Sequence, residues 1–245
     1  MKAKNSMRRP FPFALRGQSA VEFLIIFPIL IFMVFGIIQW ALIYQARSTL
    51  NHAVFLAARA GALNNGKKSS MESALAAGLT PLFASDASMA GYATARAKAA
   101  AEISVAKLAT IEVLNPTAAA FQDFAQTRLD GGIQRELPND TLIYRNASAG
   151  GASGISIQDA NILHVRITYC YRLIVPVVGR MIHAVSNALT PFDASLQSTG
   201  MSRPFGVLDG PALDTCSRPL VSGPRIQIRS EAIVRMQSPF QEVNL

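Results

Sequence analysis

The stretch Phe23–Ala46, FLIIFPILIFMVFGIIQWALIYQA, decides the fold. It holds 24 residues without one Asp, Glu, Lys or Arg. A helix needs about 20 predominantly apolar residues to cross the hydrocarbon core of a bilayer. Phe, Ile and Leu dominate, and Trp40 and Tyr44 come at the far end, where amphipathic rings favour the membrane–water interface. The expectation is a membrane-spanning helix over about 23–44. A buried helix of a soluble protein rarely runs this long without a charge.

On the N-terminal side stand Lys2, Lys4, Arg8, Arg9 and Arg16, with no acid before Glu22. Such a basic flank is retained in the cytoplasm. The reading is a single-pass membrane protein with its N-terminus inside and the residues after the helix exported. The next most apolar run, LIVPVVGRMIHAV (173–185), is short and is interrupted by Pro176, Gly179 and Arg180. An ordinary cleaved signal peptide would have an apolar run of about 7–15 residues and a small-x-small site after it. Here the apolar run is too long, and no clean small-x-small site closes it.

Composition narrows the function. The chain has 245 residues and a net charge of +8. Removing the five cations of the leader leaves 18 basic against 15 acidic residues, a balance of +3. The basicity belongs to topology, which argues against nucleic acid as a partner. The three histidines, His52, His164 and His183, are far apart, and no H-x-x-H or C-x-x-C pattern offers a metal site. GGASG (150–154) falls short of the G-x-S-x-G nucleophile elbow, and no phosphate-binding glycine loop occurs. No catalytic residue, metal or cofactor is expected.

The apolar pattern continues beyond the span. Ala46, Leu50, Val54, Ala57, Ala58 and Gly61 keep the three-and-four spacing of one helix face, while Gln45, Ser48, Asn51, His52 and Arg59 fall off it. Asn64-Asn65-Gly66 supplies a stop. One continuous helix over 18–63 follows, its second half offering a stripe to the exported domain or to a neighbouring subunit's helix. Pro28 is expected to bend it.

Downstream, SSME (69–72) matches a capping box ahead of an Ala-rich helix. A second Ala-rich helix is expected from Ser85 to about Ala100, and TAAAFQDFAQTRL (117–129) reads as helical. Alternation through Ile103, Val105, Ala109, Ile111 and Val113 predicts a strand ended by Asn115-Pro116. Stronger alternation predicts strands over Asn161–Val175 and Arg225–Met236, each with one apolar and one polar face. NASAGGASG (146–154) reads as a flexible surface loop. The expected class is α+β: a long N-terminal transmembrane and amphipathic helix, then a small antiparallel sheet packed against helices.

Two cysteines on an exported side favour a disulfide between Cys170 and Cys216. It would close a loop of about 45 residues and stabilise by about 3–4 kcal/mol in the chain-entropy model. It would tie the Pro/Gly-rich stretch Thr190–Gly223 over the polar face of the strand. The alternative is a buried Cys170 with an exposed Cys216.

Glu22 remains, just inside the apolar segment. It either marks the membrane interface or has a partner, because a carboxylate in a bilayer core costs on the order of 3 kcal/mol. Cleavage between Gly17 and Gln18 would create such a partner, an amino group four residues before it. A basic leader, a glycine, a glutamate five residues on and an unbroken apolar helix resemble a type IV prepilin. RGQSAVEF (16–23), with aromatic Phe23 after the glutamate, is closer to the Flp/Tad branch. The run from Arg16 through ARSTLNHAVFLAARAGA (46–62) resembles the TadE-like pilus-assembly family. LPNDTLIYRN (137–146), the 153–182 segment and EAIVRMQSP (231–239) resemble it more loosely.

The resemblance implies a minor pilin or pseudopilin of a Tad-type pilus. The leader 1–17 would be removed by a prepilin peptidase, and Glu22 and Phe23 would serve assembly. The helix 18–63 would join the filament, and 64–245 would form the exported domain. Implied partners are other Tad pilins and pseudopilins, the inner-membrane assembly platform, the peptidase and the lipid bilayer. Implied outputs are adhesion and biofilm formation. Three departures stand out. Gln18 is polar where classical pilins begin with Phe or Met, Phe23 replaces the tyrosine common in major Flp pilins, and the chain is far longer than a major Flp pilin. The alternative is an uncleaved single-pass scaffold in the inner membrane.

Overall fold

The computed structural model describes residues 18–127, 134–182, 184, 216 and 223–245, with the backbone alone for Gln18 and Ser19. The leader with Gly17, His183 and most of Thr190–Gly223 lie outside the described residues. Helix α1, Gln18–Leu63, runs 46 residues without interruption, Pro28 included. At about 1.5 Å per residue it is ~70 Å long. Its two halves differ in surroundings. Residues 20–30 are all exposed, and exposed apolar side chains continue to Ile38. From Gln39 onward one face is buried: Ile43, Ala46, Leu50, Ala53, Val54, Ala57, Ala58 and Ala62. The second-half stripe is therefore occupied by the chain's own downstream domain.

The end of α1 is built by Asn65 and Gly66, with φ of 56° and 76°. Gly66 N donates to Gly61 O at 2.9 Å, the long backbone bond of a Schellman ending. A Cβ on Gly66 would sit 2.2 Å from the Phe240 ring, so this left-handed position admits glycine alone. Residues 237–239 complete the cap. Asn65 N donates to Ser238 Oγ at 2.8 Å, Ser238 Oγ donates to Ala62 O at 2.9 Å, and Asn65 Nδ2 donates to Pro239 O at 2.8 Å.

Helix α2, Lys68–Leu79, turns back along α1. The expected capping box does not form: the helix starts one residue before Ser69, its N-cap is Lys67, and no side chain caps it. The tight turn after α1 has already set the chain into helix there. Helix α3, Met89–Ser104, starts later and ends later than predicted, with Ser88 Oγ accepting from Gly91 N as its cap. Ile103 is consequently helical and buried, and strand β1 covers only Ala109–Asn115. Both helical and alternating spacing fit Ile103; contact with the core selected the helix.

Helix α4, Ala118–Phe124, is capped by Thr117 and stops well short of Leu129. Two-residue strand β2, Gln126–Thr127, pairs with β3, Arg135–Leu137, which pairs in turn with β6, Phe240–Gln241. After the short helix α5, Ile157–Ala160, the main sheet has the order β1-β4-β5, all antiparallel, with β4 over Ile162–Arg172 and β5 over Arg225–Arg235. Leu163, Val165, Ile167, Ile226 and Ile228 are buried in the core that also receives α1 and α2. The segment 146–154 is more anchored than a free loop. Asp123 accepts from Ala152 N at 3.0 Å, from Ser153 N at 2.7 Å and from Ser153 Oγ at 2.6 Å. These bonds hold its carboxyl below the usual range, the Ser153 side chain foremost. The architecture is α+β, a long apolar N-terminal helix followed by mixed helices and small antiparallel sheets.

Candidate functional site

The start of α1 is the first candidate. Its backbone is helical from Gln18, so Glu22 comes about one turn later on the same side. Glu22 is exposed. Phe23 is 60% exposed and stacks on Phe27, with ring centroids 5.0 Å apart. Apolar rings and an acid thus share a helix surface that no other part of the described chain covers. Such a surface is suited to lipid or to a neighbouring helix.

Gln39 was not singled out in the sequence, although an amide inside an apolar run was the available signal. It is fully buried, and its Oε1 accepts from Val175 N at 2.9 Å. This bond fastens the segment after β4 to the middle of α1.

Cys170 of β4 and Cys216 form a disulfide, with Cα atoms 5.5 Å apart and both residues buried. Beside it lies a polar cluster with no sequence signal, since its members are scattered. Tyr169 Oη donates to Glu102 Oε2 at 2.6 Å. Arg225 Nη2 reaches Glu102 Oε1 at 3.4 Å, and Nη1 donates to Cys170 O at 2.8 Å. Burial, then the Glu102 charge, pushes the Tyr169 phenol well above its ordinary range and keeps it a proton donor. A cleft of about 610 Å³ opens there between Leu42, Phe83, Tyr169 and Arg172. Its one carboxylate, Glu102, is engaged by Tyr169 and Arg225, so the cluster braces the sheet.

A further charged network lies across the main sheet. Arg166 Nε donates to Glu231 Oε1 at 2.6 Å, and His164 Nε2 is 2.8 Å from Glu231 Oε2. Arg166 Nη1 is 3.7 Å from Glu112 Oε2. Among the described residues no group of three or more His, Cys, Asp or Glu side chains could hold a metal ion.

Among the described residues one helix, Ala20–Leu63, is long and apolar enough to cross a membrane, and its apolar first part is not buried. Residues 17–59 match the sequence model of the TadE-like protein family. The TadE-like segment begins at Gly17, includes Gln18, Glu22 and Phe23, and ends four residues before α1 does. It contains both the uncovered apolar stretch and most of the stripe that the domain buries. Comparison with curated proteins and with solved structures yields no match.

Proposed function

We propose that the chain is a minor pilin or pseudopilin of a Tad-type type IV pilus, acting through α1. One observation carries the reading. The helix described over Gln18–Leu63 has Glu22 exposed near its head and is TadE-like over 17–59. On this reading a prepilin peptidase cuts between Gly17 and Gln18. The new amine of one subunit pairs with Glu22 of its neighbour, and Phe23 packs beside them. The bare half of α1 passes from the inner membrane into the filament or its initiation complex. The domain over 64–245 lies on the periplasmic side and caps or primes the assembly without chemistry of its own. Other Tad pilins and pseudopilins, the inner-membrane platform and the peptidase are the partners. Adhesion and biofilm formation are the outputs.

The second reading, an uncleaved inner-membrane scaffold, is favoured by the domain's hold on α1. Gln39 and the buried face below it commit much of the helix to the chain's own core. Mass spectrometry of the membrane-extracted protein, with and without the peptidase, separates the two. A chain starting at Gln18 only when the peptidase is present is the expected result, and a retained leader would establish the scaffold. Glu22→Ala is expected to abolish piliation at normal protein level. Unchanged piliation would remove Glu22 from assembly.

A further inference from the structure

The segment that follows β4 has an unusual surface. Residues 176–182 are helical. Leu173, Val178 and Gly179 face inward, and a Cβ on Gly179 would meet Leu173 Cβ at 2.9 Å. Ile174, Val177 and Met181 face outward, at 62%, 63% and 51% exposure. Three large apolar side chains on one short segment form an uncovered patch of the kind that marks an interaction surface.

Its position on α1 says what covers it. Val175 N is bonded to Gln39 Oε1. Gln39 lies 16 residues beyond Phe23, or ~24 Å along the helix, whereas a bilayer core is about 30 Å thick. A core beginning at Phe23 therefore ends near Leu42, and Val175 is held slightly inside that boundary. Ile38 and Trp40, on either side of Gln39 in α1, are themselves exposed apolar side chains. Charge agrees with this depth. Arg172 and Arg180 are exposed on either side of the patch, and no acidic residue occurs between Asp159 and Asp193. Arginines beside apolar side chains at this level meet lipid phosphates while the apolar groups enter the acyl region.

We infer that residues 174–182 are a second membrane contact. Ile174, Val177 and Met181 dip into the leaflet on the domain's side, and Arg172 and Arg180 engage its phosphates. The segment sets how deep the domain sits and prevents it from swivelling about α1. The inference rests on α1 spanning the bilayer and is independent of any role in a pilus.

The test uses the full chain, disulfide intact, in phosphatidylcholine–phosphatidylglycerol vesicles. Single cysteines replace Val177, Met181, Phe32 as a core reference and Ile143 as an aqueous reference, each carrying an environment-sensitive fluorophore. Iodide is expected to quench the 177 and 181 probes at least about threefold less than the 143 probe. Lipids with a spin label near the headgroup are expected to quench 177 and 181 more than lipids labelled deep in the chain, with the reverse order at 32. Iodide access at 177 and 181 equal to that at 143 would overturn the proposal. Protection from iodide without quenching by either lipid, varying with protein-to-lipid ratio, would assign the patch to a second copy and also overturn it. An aqueous probe at 32 would overturn the span and the proposal together. The unsubstituted protein gives an independent readout. A photoactivatable phospholipid should label the tryptic peptide 173–180, and adducts on α1 with none on that peptide would overturn the contact.

Discussion

At the scale of single residues, the end of α1 is tightly constrained. Gly66 combines a positive φ with a ring against the position of its missing Cβ. Gly66→Ala should destabilise the full chain in detergent by about 2–4 kcal/mol, read as a lower thermal midpoint. Ser238 both accepts and donates at the same cap. Ser238→Ala should cost about 1 kcal/mol, whereas Ser69→Ala, in a capping box that does not form, should cost little by the same measurement. Glu231 gives a pH dependence. The hydrogen bond from Arg166 lowers its pKa from the ordinary 4.5 against some burial, helped by His164. The folded chain thus binds this proton less readily than the unfolded chain. Its contribution to stability is complete above the ordinary glutamate value and is lost as pH falls through the lowered one. Glu231→Gln should flatten the acid side of a urea-midpoint-against-pH curve. An unchanged slope would show that other carboxylates set it.

At the scale of elements, α1 was legible almost completely. The charge-free run Phe23–Ala46, the spacing from Ala46 to Gly61 and the Asn-Asn-Gly stop gave its extent and its buried stripe. Strands β4 and β5 were legible because eleven residues of alternation leave one face for a core. Shorter signals misled. SSME matched a cap motif at a place where the preceding turn had already determined the helix start. Ile103 fitted two periods at once. The short strands β2, β3 and β6 carry too few residues for any period, and the Glu102–Tyr169–Arg225 cluster joins residues up to 123 positions apart. For the candidate site, the sequence located the acid and the ring at the head of α1. It did not reveal that Gln39 holds the domain, because the bond goes to the backbone of Val175, which any residue could supply. The α1–α2 crossing offers a further test. A Cβ on Gly78 would sit 2.5 Å from Ala53 Cα. Gly78→Val should force the helices apart and destabilise by about 3 kcal/mol or more, visible as a lower thermal midpoint.

At the scale of the whole molecule, the disulfide and the cap of α1 bring together parts of the chain that are remote in sequence. Cys170 and Cys216 are 46 positions apart. Reduction should lower the stability of the full chain by about 2–4 kcal/mol, measured as the urea midpoint with and without reductant. The cap reaches further, since Asn65 and Ser238 are separated by 173 positions. Strand β4 is likewise flanked by an early strand, β1, and a late one, β5. Synthesis proceeds in one direction, so α1 emerges long before the residues that close its other end. Once β4 is made and until β5 follows, β4 offers an unpaired edge, and the Ala62 carbonyl must be satisfied by water. The domain therefore cannot lock until residues 225–240 have been made. A chaperone that shields strand edges would find its client during that delay.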